Sequence, residues 1–198
     1  IGKPGMGSTA SAVLIEGNQM AVAHVGDSRI YLLHHGTLVR ITHDHSYVEE
    51  LIDSGQITAD EARTHPSRSV VTRALGSDPD MYADHFSLEV SDGDRIILCS
   101  DGLSGMVPDD EIESIAVSNV TPQKAADNLV SAALTYGGSD NITVIVIDVL
   151  DDGIADQTRK HLTRGVIATF VSFLALFAAT VAVFFLFVSS EWYLGING

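Results

Sequence analysis

The sequence predicts an α+β fold, in which antiparallel strands form sheets and helices pack outside them. Two kinds of pattern support this class. Short apolar segments in the first part of the chain alternate with glycine-containing turn signals, which is typical of antiparallel strands. Capped helical segments follow, and the apolar segment 142–149 then predicts a closing strand.

The first three predicted strands form a β-meander, in which each strand pairs with the next. Gly17-Asn18 and Gly26-Asp27 are the tight turns between them. The predicted strands are residues 10–15, 20–25 and 30–33.

Two short helices are predicted after these strands, because each begins with a capping-box pattern. Ser46 is followed by Glu49, and Thr58 by Glu61, three residues later. At this spacing each side chain can accept a hydrogen bond from the backbone N–H of the other residue. The polar segment 63–80 follows. Its prolines and glycine predict a loop that is long enough to act as a mobile flap.

The elements up to residue 150 are predicted from turn signals and helix caps. Asp92-Gly93 separates two strands, and Thr121 caps the longer of two helices. The segment 142–149 is almost wholly apolar, which predicts a central strand covered on both faces. In chain order these elements are strands 86–90 and 95–99, helix 108–117, the helix that starts after Thr121 and ends before Gly137, and strand 142–149.

Residues 166–190 predict a single transmembrane helix. The segment has no charged residue and, at about 1.5 Å per residue, is about 36 Å long, which exceeds the roughly 30 Å hydrocarbon layer. Basic residues 159, 160 and 164 precede it and Glu191 follows it, so the positive-inside rule predicts a cytoplasmic N-terminal part of a single-pass cell-membrane protein. The predicted divisions are a domain at 1–150, a linker at 151–165, the span at 166–190 and an extracytoplasmic tail at 191–198.

Composition argues against some partners. The formal net charge of -15 argues against nucleic acid, because binding a polyanion requires a basic surface.

The single cysteine, Cys99, cannot form an internal disulfide, and the apolar residues before it predict a buried thiol. This cysteine content is typical of a reducing compartment.

Three aspartates lie where predicted strands begin or end: Asp27, Asp101 and Asp140. If the strand ending at Cys99 pairs antiparallel with the strand starting at Ile142, Asp101 and Asp140 reach the same sheet edge. Converging carboxylates repel each other unless a cation lies between them. An all-oxygen ligand set favours Mg²⁺ or Mn²⁺, although each aspartate alone is also an ordinary turn residue.

The segment His43-Asp44-His45 is the nearest approach to a zinc motif. Successive residues in an extended segment point to different sides, so we favour surface or hydrogen-bonded histidines over a metal site formed by this segment.

Four segments together resemble successive motifs of the type 2C, metal-dependent Ser/Thr protein phosphatases, in particular the bacterial membrane-anchored members. The resemblance covers about residues 5–150 and is carried by Gly5-Met6-Gly7-Ser8-Thr9, by Ala23-His24-Val25-Gly26-Asp27-Ser28-Arg29-Ile30-Tyr31, by Leu98-Cys99-Ser100-Asp101-Gly102-Leu103 and by Gly138-Ser139-Asp140-Asn141-Ile142-Thr143. It implies an antiparallel β-sandwich flanked by helices, with a binuclear Mg²⁺ or Mn²⁺ centre at one end. It also implies hydrolysis of protein phosphoserine and phosphothreonine by water, without a phosphoenzyme.

The resemblance implies roles for individual residues. Asp101 and Asp140 match metal-binding aspartates, and Asp27 matches a carboxylate that can join Asp101 around a third, weaker ion. The segment 48–75 matches a variable flap beside the active site.

Two arginines of this flap, Arg68 and Arg73, are candidate contacts to a substrate phosphate. Pairing with neighbouring carboxylates is the favoured alternative for both arginines. The carboxylates considered are Asp53, Asp60 and Glu61.

The family's Arg-x-x-Asn-x-Asp and Asp-Gly-Met-Gly-Gly-His elements do not occur in the 198 residues. We therefore expect that an N-terminal portion is missing, that this fragment is inactive alone and that a longer parent chain is active. The expected partners are phosphoprotein substrates and a cognate Ser/Thr kinase. The alternatives are a membrane-anchored pseudo-phosphatase, a phosphoprotein-binding scaffold, or a structural domain whose acidic loops bind Ca²⁺.

Overall fold

The computed structural model describes residues 6–76, 78 and 80–150. The predicted linker, transmembrane helix and tail at 151–165, 166–190 and 191–198 lie outside the described residues. Among the described residues, no helix is both long enough and apolar enough to cross a membrane.

Seven strands and five helices make up the described part of the chain. The strands are β1 (Ala10–Glu16), β2 (Gln19–Val25), β3 (Arg29–His34), β4 (Thr37–Arg40), β5 (Asp84–Glu89), β6 (Arg95–Cys99) and β7 (Val144–Asp148). The helices are α1 (Tyr47–Asp53), α2 (Ala59–Arg63), α3 (Asp101–Ser104), α4 (Asp109–Ser118) and α5 (Pro122–Thr135). The short strand β4 and the single-turn helix α3 were not predicted from the sequence.

The strands form two antiparallel sheets, in the orders β1-β2-β5 and β4-β3-β6-β7. The predicted α+β class with antiparallel strands is therefore confirmed. The predicted β-meander is wrong, because β3 leaves the first sheet and pairs with β4 and β6 of the second. Residues 30–33 are all buried, and alternate side chains enter two different cores, which suits an interior strand of the larger sheet.

Two hydrophobic cores hold these layers together. The first lies between the four-stranded sheet and helices α3 to α5, and its buried members are Tyr31, Leu33, Ile97, Cys99, Leu103, Val107, Ile112, Ala116, Leu129 and Ala133. The second joins the two sheets, and its buried members are Met20, Val22, Ile30, Leu32, Val90 and Ile96. The sheets therefore face each other as layers of a sandwich.

The strand β7 is covered on both faces, as predicted, but it is not central. Val144 and Val146 pack on the helical core, whereas Ile147 packs on the core between the sheets. Among the described residues β7 is the outermost strand of its sheet, and Ile145 is 52% exposed. An edge strand can have a wholly apolar sequence when a layer packs on each side of it, so the pattern alone did not distinguish the two positions.

The two predicted capping boxes differ in the structure. Thr58 and Glu61 form the full reciprocal box at the start of α2. Ser46 accepts a hydrogen bond from the Glu49 backbone at 3.3 Å, but the Glu49 carboxylate turns away to pair with Arg40. The competing guanidinium therefore leaves only half of the box at α1.

The predicted burial of Cys99 is confirmed, since its side chain is 5% exposed. Burial raises the pKa of this thiol to about 12. The sulfur is therefore protonated at neutral pH and behaves as a small apolar group of the core rather than as a nucleophile.

Arg95 is a buried ionic connection between β6, β7 and the end of α4. Its guanidinium donates to Asp148 at 2.6 and 2.9 Å and to the carbonyl oxygens of Ala116 and Asn119 at 2.6 and 2.7 Å. The side chain is 8% exposed. One residue thus satisfies a partly buried carboxylate and two carbonyls at a helix terminus.

Arg95→Leu should lower the free energy of unfolding by about 3 kcal/mol, because it leaves Asp148 and the two carbonyls without their donor. Urea unfolding followed by circular dichroism measures the loss. Lys124→Ala, at an exposed position of α5, is the control and should change stability by less than about 0.5 kcal/mol. Equal stability of the two variants would contradict the assigned role.

Candidate metal centre

The pairing of β6 with β7 brings two of the predicted aspartates to one sheet edge. Cys99 lies opposite Val144 in the antiparallel register, so the end of β6 meets the start of β7. Ser100 completes the junction: its backbone N–H donates to Thr143 O at 3.1 Å, and its hydroxyl donates to Asn141 O at 3.0 Å. Asp101 follows this junction directly and Asp140 precedes it, as the sequence predicted.

Gly102 allows the two aspartate loops to approach closely. A Cβ atom at this position would lie 2.4 Å from the Asn141 carbonyl oxygen and 2.9 Å from its carbon. Backbone cannot yield as a flexible side chain would, so no larger residue fits without separating α3 from the Asn141 segment. The glycine after Asp101 is therefore a packing requirement of the site.

Asp27 reaches the same region from the connection between the two sheets. Arg29 lies opposite Cys99, so the start of β3 adjoins the end of β6. Gly26 has a φ of +112°, and a Cβ atom there would lie 2.3 Å from the Thr9 side chain. This glycine lets the chain leave β2 and present Asp27 beside Asp101.

The three carboxylates surround one cavity of about 550 Å³. Burial, with repulsion from Asp101 as the next cause, raises the pKa of Asp27 from 3.8 to about 6. Burial and then repulsion from Asp140 raise the pKa of Asp101 above its ordinary value. The three aspartates therefore lie near one another along one cavity, and their assignment as metal ligands stays a prediction.

The donor set fits a hard divalent cation. None of the described residues that line the cavity is a histidine or a cysteine, the ligands that zinc prefers. Carboxylate oxygens suit Mg²⁺ or Mn²⁺, which prefer oxygen ligands and retain several waters.

Arg29 and Asp44 form a salt bridge at the wall of this cavity, and sequence analysis had not assigned either residue a role there. The guanidinium donates to both carboxylate oxygens at 2.7 to 3.0 Å. Burial opposes the charge of Arg29, yet Tyr31 and Asp44 raise its pKa above the ordinary value. Arg29 belongs to the Gly26-Asp27-Ser28-Arg29 turn that is visible in the sequence. Nothing in the sequence marks Asp44, fifteen residues later, as its partner.

The residues of His43-Asp44-His45 have separate partners, as the alternation argument predicted. His45 Nδ1 accepts from the Gly26 backbone at 3.0 Å, so its Nε2 carries the proton and donates to Asp84 at 3.0 Å. The Gly26 carbonyl in turn accepts from the His45 backbone at 2.7 Å. His45 therefore fixes the turn that carries Asp27.

The two candidate substrate contacts lie in different environments. Arg68 lines the cavity. Arg73 instead donates to Asp84 at 2.7 Å and lies over the Tyr82 ring at 4.2 Å from its centroid, and it is not among the described cavity-lining residues. The carboxylate paired with Arg73 is thus not one of the three considered from the sequence, because the strand β5 brings Asp84 nearer than the flap helices bring theirs.

Arg63 is a further cavity-lining arginine that sequence analysis missed. It donates to the carbonyl oxygens of Ser104 and Val107, both at 3.2 Å, and thereby ties α2 to the end of α3. Backbone acceptors leave no mark in a sequence, so this contact could only be found in the structure.

Family models match the chain in two adjoining parts. The model described as Protein phosphatase 2C matches residues 3–51, and the model described as Stage II sporulation protein E (SpoIIE) matches residues 52–150. Together they cover the whole of the described region.

Curated relatives and solved structures agree with these matches. Serine/threonine phosphatase stp of Listeria monocytogenes is 42% identical over 144 residues, which are 73% of this chain and 57% of the relative. Serine/threonine protein phosphatase PstP of Mycobacterium tuberculosis is 45% identical over 148 residues, 74% of this chain and 28% of the relative. The chain therefore spans a little over half the length of the Listeria relative.

The crystal structure of Mycobacterium tuberculosis PstP/Ppp superposes with a TM-score of 0.70 at 42% identity, over 74% of this chain and 62% of that one. The PstP catalytic domain in complex with two manganese ions gives a TM-score of 0.68 at 41% identity, over 74% and 60% of the two chains.

Gly102→Ala should weaken Mn²⁺ binding by about tenfold or more and lower stability by about 1–3 kcal/mol, because the new methyl group pushes the Asn141 backbone away. Calorimetric titration and urea unfolding measure the two effects. Gly7→Ala is the matched control, since its nearest contact would be an ordinary 3.5 Å from the Ala74 side chain. Unchanged Mn²⁺ affinity in Gly102→Ala would refute the packing requirement.

Asp27→Asn should stabilise the metal-free chain above about pH 6 and leave it unchanged near pH 3.5. The folded pKa of about 6 exceeds the unfolded value of 3.8, so the folded state holds an extra proton between them. Wild-type stability therefore falls as the pH rises through this window, and asparagine removes that loss.

Urea unfolding in chelator at pH 3.5 and pH 7.5 tests this sign. The exposed Asp127→Asn is the control, and its free energy of unfolding should equal that of the wild type at both pH values. A loss of stability in Asp27→Asn at pH 7.5 would contradict the raised pKa of Asp27, whose first cause is burial.

Proposed function

Because the chain belongs to the type 2C family of metal-dependent Ser/Thr protein phosphatases, we propose that it contributes the metal-holding carboxylates for hydrolysis of phosphoserine and phosphothreonine in proteins. One observation carries this proposal. Asp27, Asp101 and Asp140 surround one cavity, where burial and mutual repulsion raise the pKa values of the first two. A divalent cation removes that repulsion, so the arrangement is suited to a metal-loaded state.

We assign Asp101 and Asp140 to a binuclear Mg²⁺ or Mn²⁺ centre, and Asp27 together with Asp101 to a third ion. The manganese complex of the mycobacterial PstP catalytic domain supports the choice of metal. When bound, such ions activate a water nucleophile and neutralise charge on the phosphoryl group. The aspartates hold and orient the ions, while Ser100 and Gly102 keep the two aspartate loops together.

Arginines that line the same cavity supply positive charge for a phosphate ester. Arg68 and Arg40 line the cavity, and Arg40 is already engaged by Glu49. We propose that Arg68 contacts the substrate phosphate. Arg73, which is held by Asp84, positions the end of the flap, and its part in substrate binding is indirect.

Hydrolysis also requires the family's arginine and histidine elements, which do not occur in the 198 residues. The proposed activity therefore belongs to a polypeptide that carries both those elements and this chain. The same fact favours one alternative for this chain alone, which is binding of phosphoproteins without turnover.

The proposed setting is the cytoplasmic face of a cell membrane. The uncharged segment 166–190, with basic residues before it, supports anchoring by a single span. Phosphoproteins are the proposed substrates, and the names of the Listeria and Mycobacterium relatives, both serine/threonine phosphatases, support this class. A Ser/Thr kinase with the same targets is the proposed counterpart.

Asp101→Asn should lower Mn²⁺-dependent hydrolysis of p-nitrophenyl phosphate by about 100-fold or more, in a polypeptide that joins this chain to the two elements. The substitution removes the carboxylate that we assign to more than one ion and so loosens the ions, which corresponds to about 3 kcal/mol of lost transition-state stabilisation. Asp127→Asn, on the exposed face of α5, is the control and should keep its rate.

Turnover by Asp101→Asn at the rate of the control would refute the assigned role. Binding of a phosphothreonine peptide by a wild-type polypeptide that shows no turnover would instead support the scaffold alternative.

A further inference from the structure

A second group of ligand-type side chains lies outside the three-aspartate centre. His43, Glu49 and Asp53 each offer one ligand atom, and these atoms lie within 4.8 Å of one another. His43 Nε2 is 2.9 Å from an Asp53 oxygen and 3.7 Å from a Glu49 oxygen. In the part of the chain that the structure describes, no other such trio was found.

The local fold explains why these three residues meet. Glu49 and Asp53 are separated by four residues on α1, so both face the same side of the helix. Ser46 fixes the first turn of α1 by accepting from the Glu49 backbone. Two of the three ligands are therefore held on one rigid element.

The third residue, His43, is held in place through its backbone carbonyl group. His24 is buried, and its Nε2 is 3.1 Å from the His43 carbonyl oxygen. Burial, followed by the neighbouring His45, lowers the pKa of His24, so its ring is neutral and can donate to this carbonyl while accepting from Ser11. The connection that carries His43 into α1 is thus anchored to the interior of the first sheet.

The charges at this position favour an added cation. Arg40 pairs with Glu49, whereas the other carboxylate, Asp53, pairs with His43, which offsets its charge only when the ring is protonated. Asp53 is the last residue of α1, and the last turn has no basic residue, so its carboxylate lies at the negative end of the helix. A divalent ion would relieve both the residual charge and the unfavourable dipole.

The ligand types indicate which ion would bind. One imidazole nitrogen and two carboxylates suit borderline ions such as Zn²⁺ or Co²⁺ better than Mg²⁺, which prefers oxygen alone. His43 and Asp53 are 52% and 56% exposed, so an ion can enter from solvent and keep a water ligand. The donor set thus differs in kind from the three carboxylates of the main centre.

We propose that His43, Glu49 and Asp53 form a second divalent-cation site, specific for Zn²⁺-like ions and built from residues other than the three aspartates. Glu49 and Arg40 also line the main cavity. An ion at the second site takes the Glu49 Oε1 atom that Arg40 contacts and leaves the guanidinium only its contact with Glu49 Oε2 at 3.4 Å. Occupancy of the site therefore changes the charge that a phosphate meets there.

Titration of the full chain with Co²⁺ tests the proposal, because Co²⁺ substitutes for Zn²⁺ and absorbs visible light when a nitrogen ligand binds it. The titration is done at about pH 7.5 with excess Mg²⁺, since the ligand form of imidazole is the neutral one. We expect a saturable absorption band at about one equivalent that Zn²⁺ abolishes. His43→Asn and Asp53→Asn should each weaken this binding by about tenfold or more.

His34→Asn is the matched control. His34 is also exposed and also pairs with an aspartate, Asp94 at 2.7 Å, but it has no third ligand in the described structure. The control should keep the band, and so should Asp101→Asn, whose failure in the phosphatase assay is a separate result.

A band that persists in His43→Asn, or that is lost in Asp101→Asn, would overturn the second site. Absence of any saturable band in the wild-type chain would overturn it as well. Circular dichroism of His43→Asn verifies that the variant is folded, which is expected because its side chain is half exposed.

Discussion

The antiparallel pairing of β6 with β3 on one side and with β7 on the other is the constraint on which the site depends. It brings the end of one strand and the starts of two others to a single sheet edge. Each of these strand ends carries an aspartate, so the fold concentrates negative charge at a place that its two hydrophobic cores have already fixed. The cores therefore supply the free energy that holds the repelling carboxylates together.

Around this edge, hydrogen bonds position the backbone more than they position the carboxylates themselves. Ser100 joins the two aspartate loops, and His45 holds Gly26 from both its ring and its main chain. The carboxylates have few hydrogen-bond partners in the protein, so their oxygens are available to a metal ion and its water ligands. The Arg29 to Asp44 pair keeps a positive charge at the same cavity, where Arg29 partly opposes the rise in the pKa of Asp27.

The sequence was sufficient for the fold class and for the three aspartates because their signals are local: apolar strands, turn residues and a register that follows from antiparallel pairing. It failed for β3, since a Gly-Asp turn signal does not say whether the next strand returns to the same sheet. It also failed for Arg63 and for the Asp84 partner of Arg73, because backbone acceptors and distant strands leave no periodic pattern. Glu49 reads as half of a capping box, and only the structure reveals that Arg40 competes for it.

The two bonds that Arg63 donates to the carbonyls of Ser104 and Val107 have a mechanical consequence. The short helix α2 is fastened to the same turn that begins at Asp101, so a movement of α2 away from the cavity pulls on that turn. Because one guanidinium holds both segments, α2 and the turn after Asp101 should open together rather than one at a time.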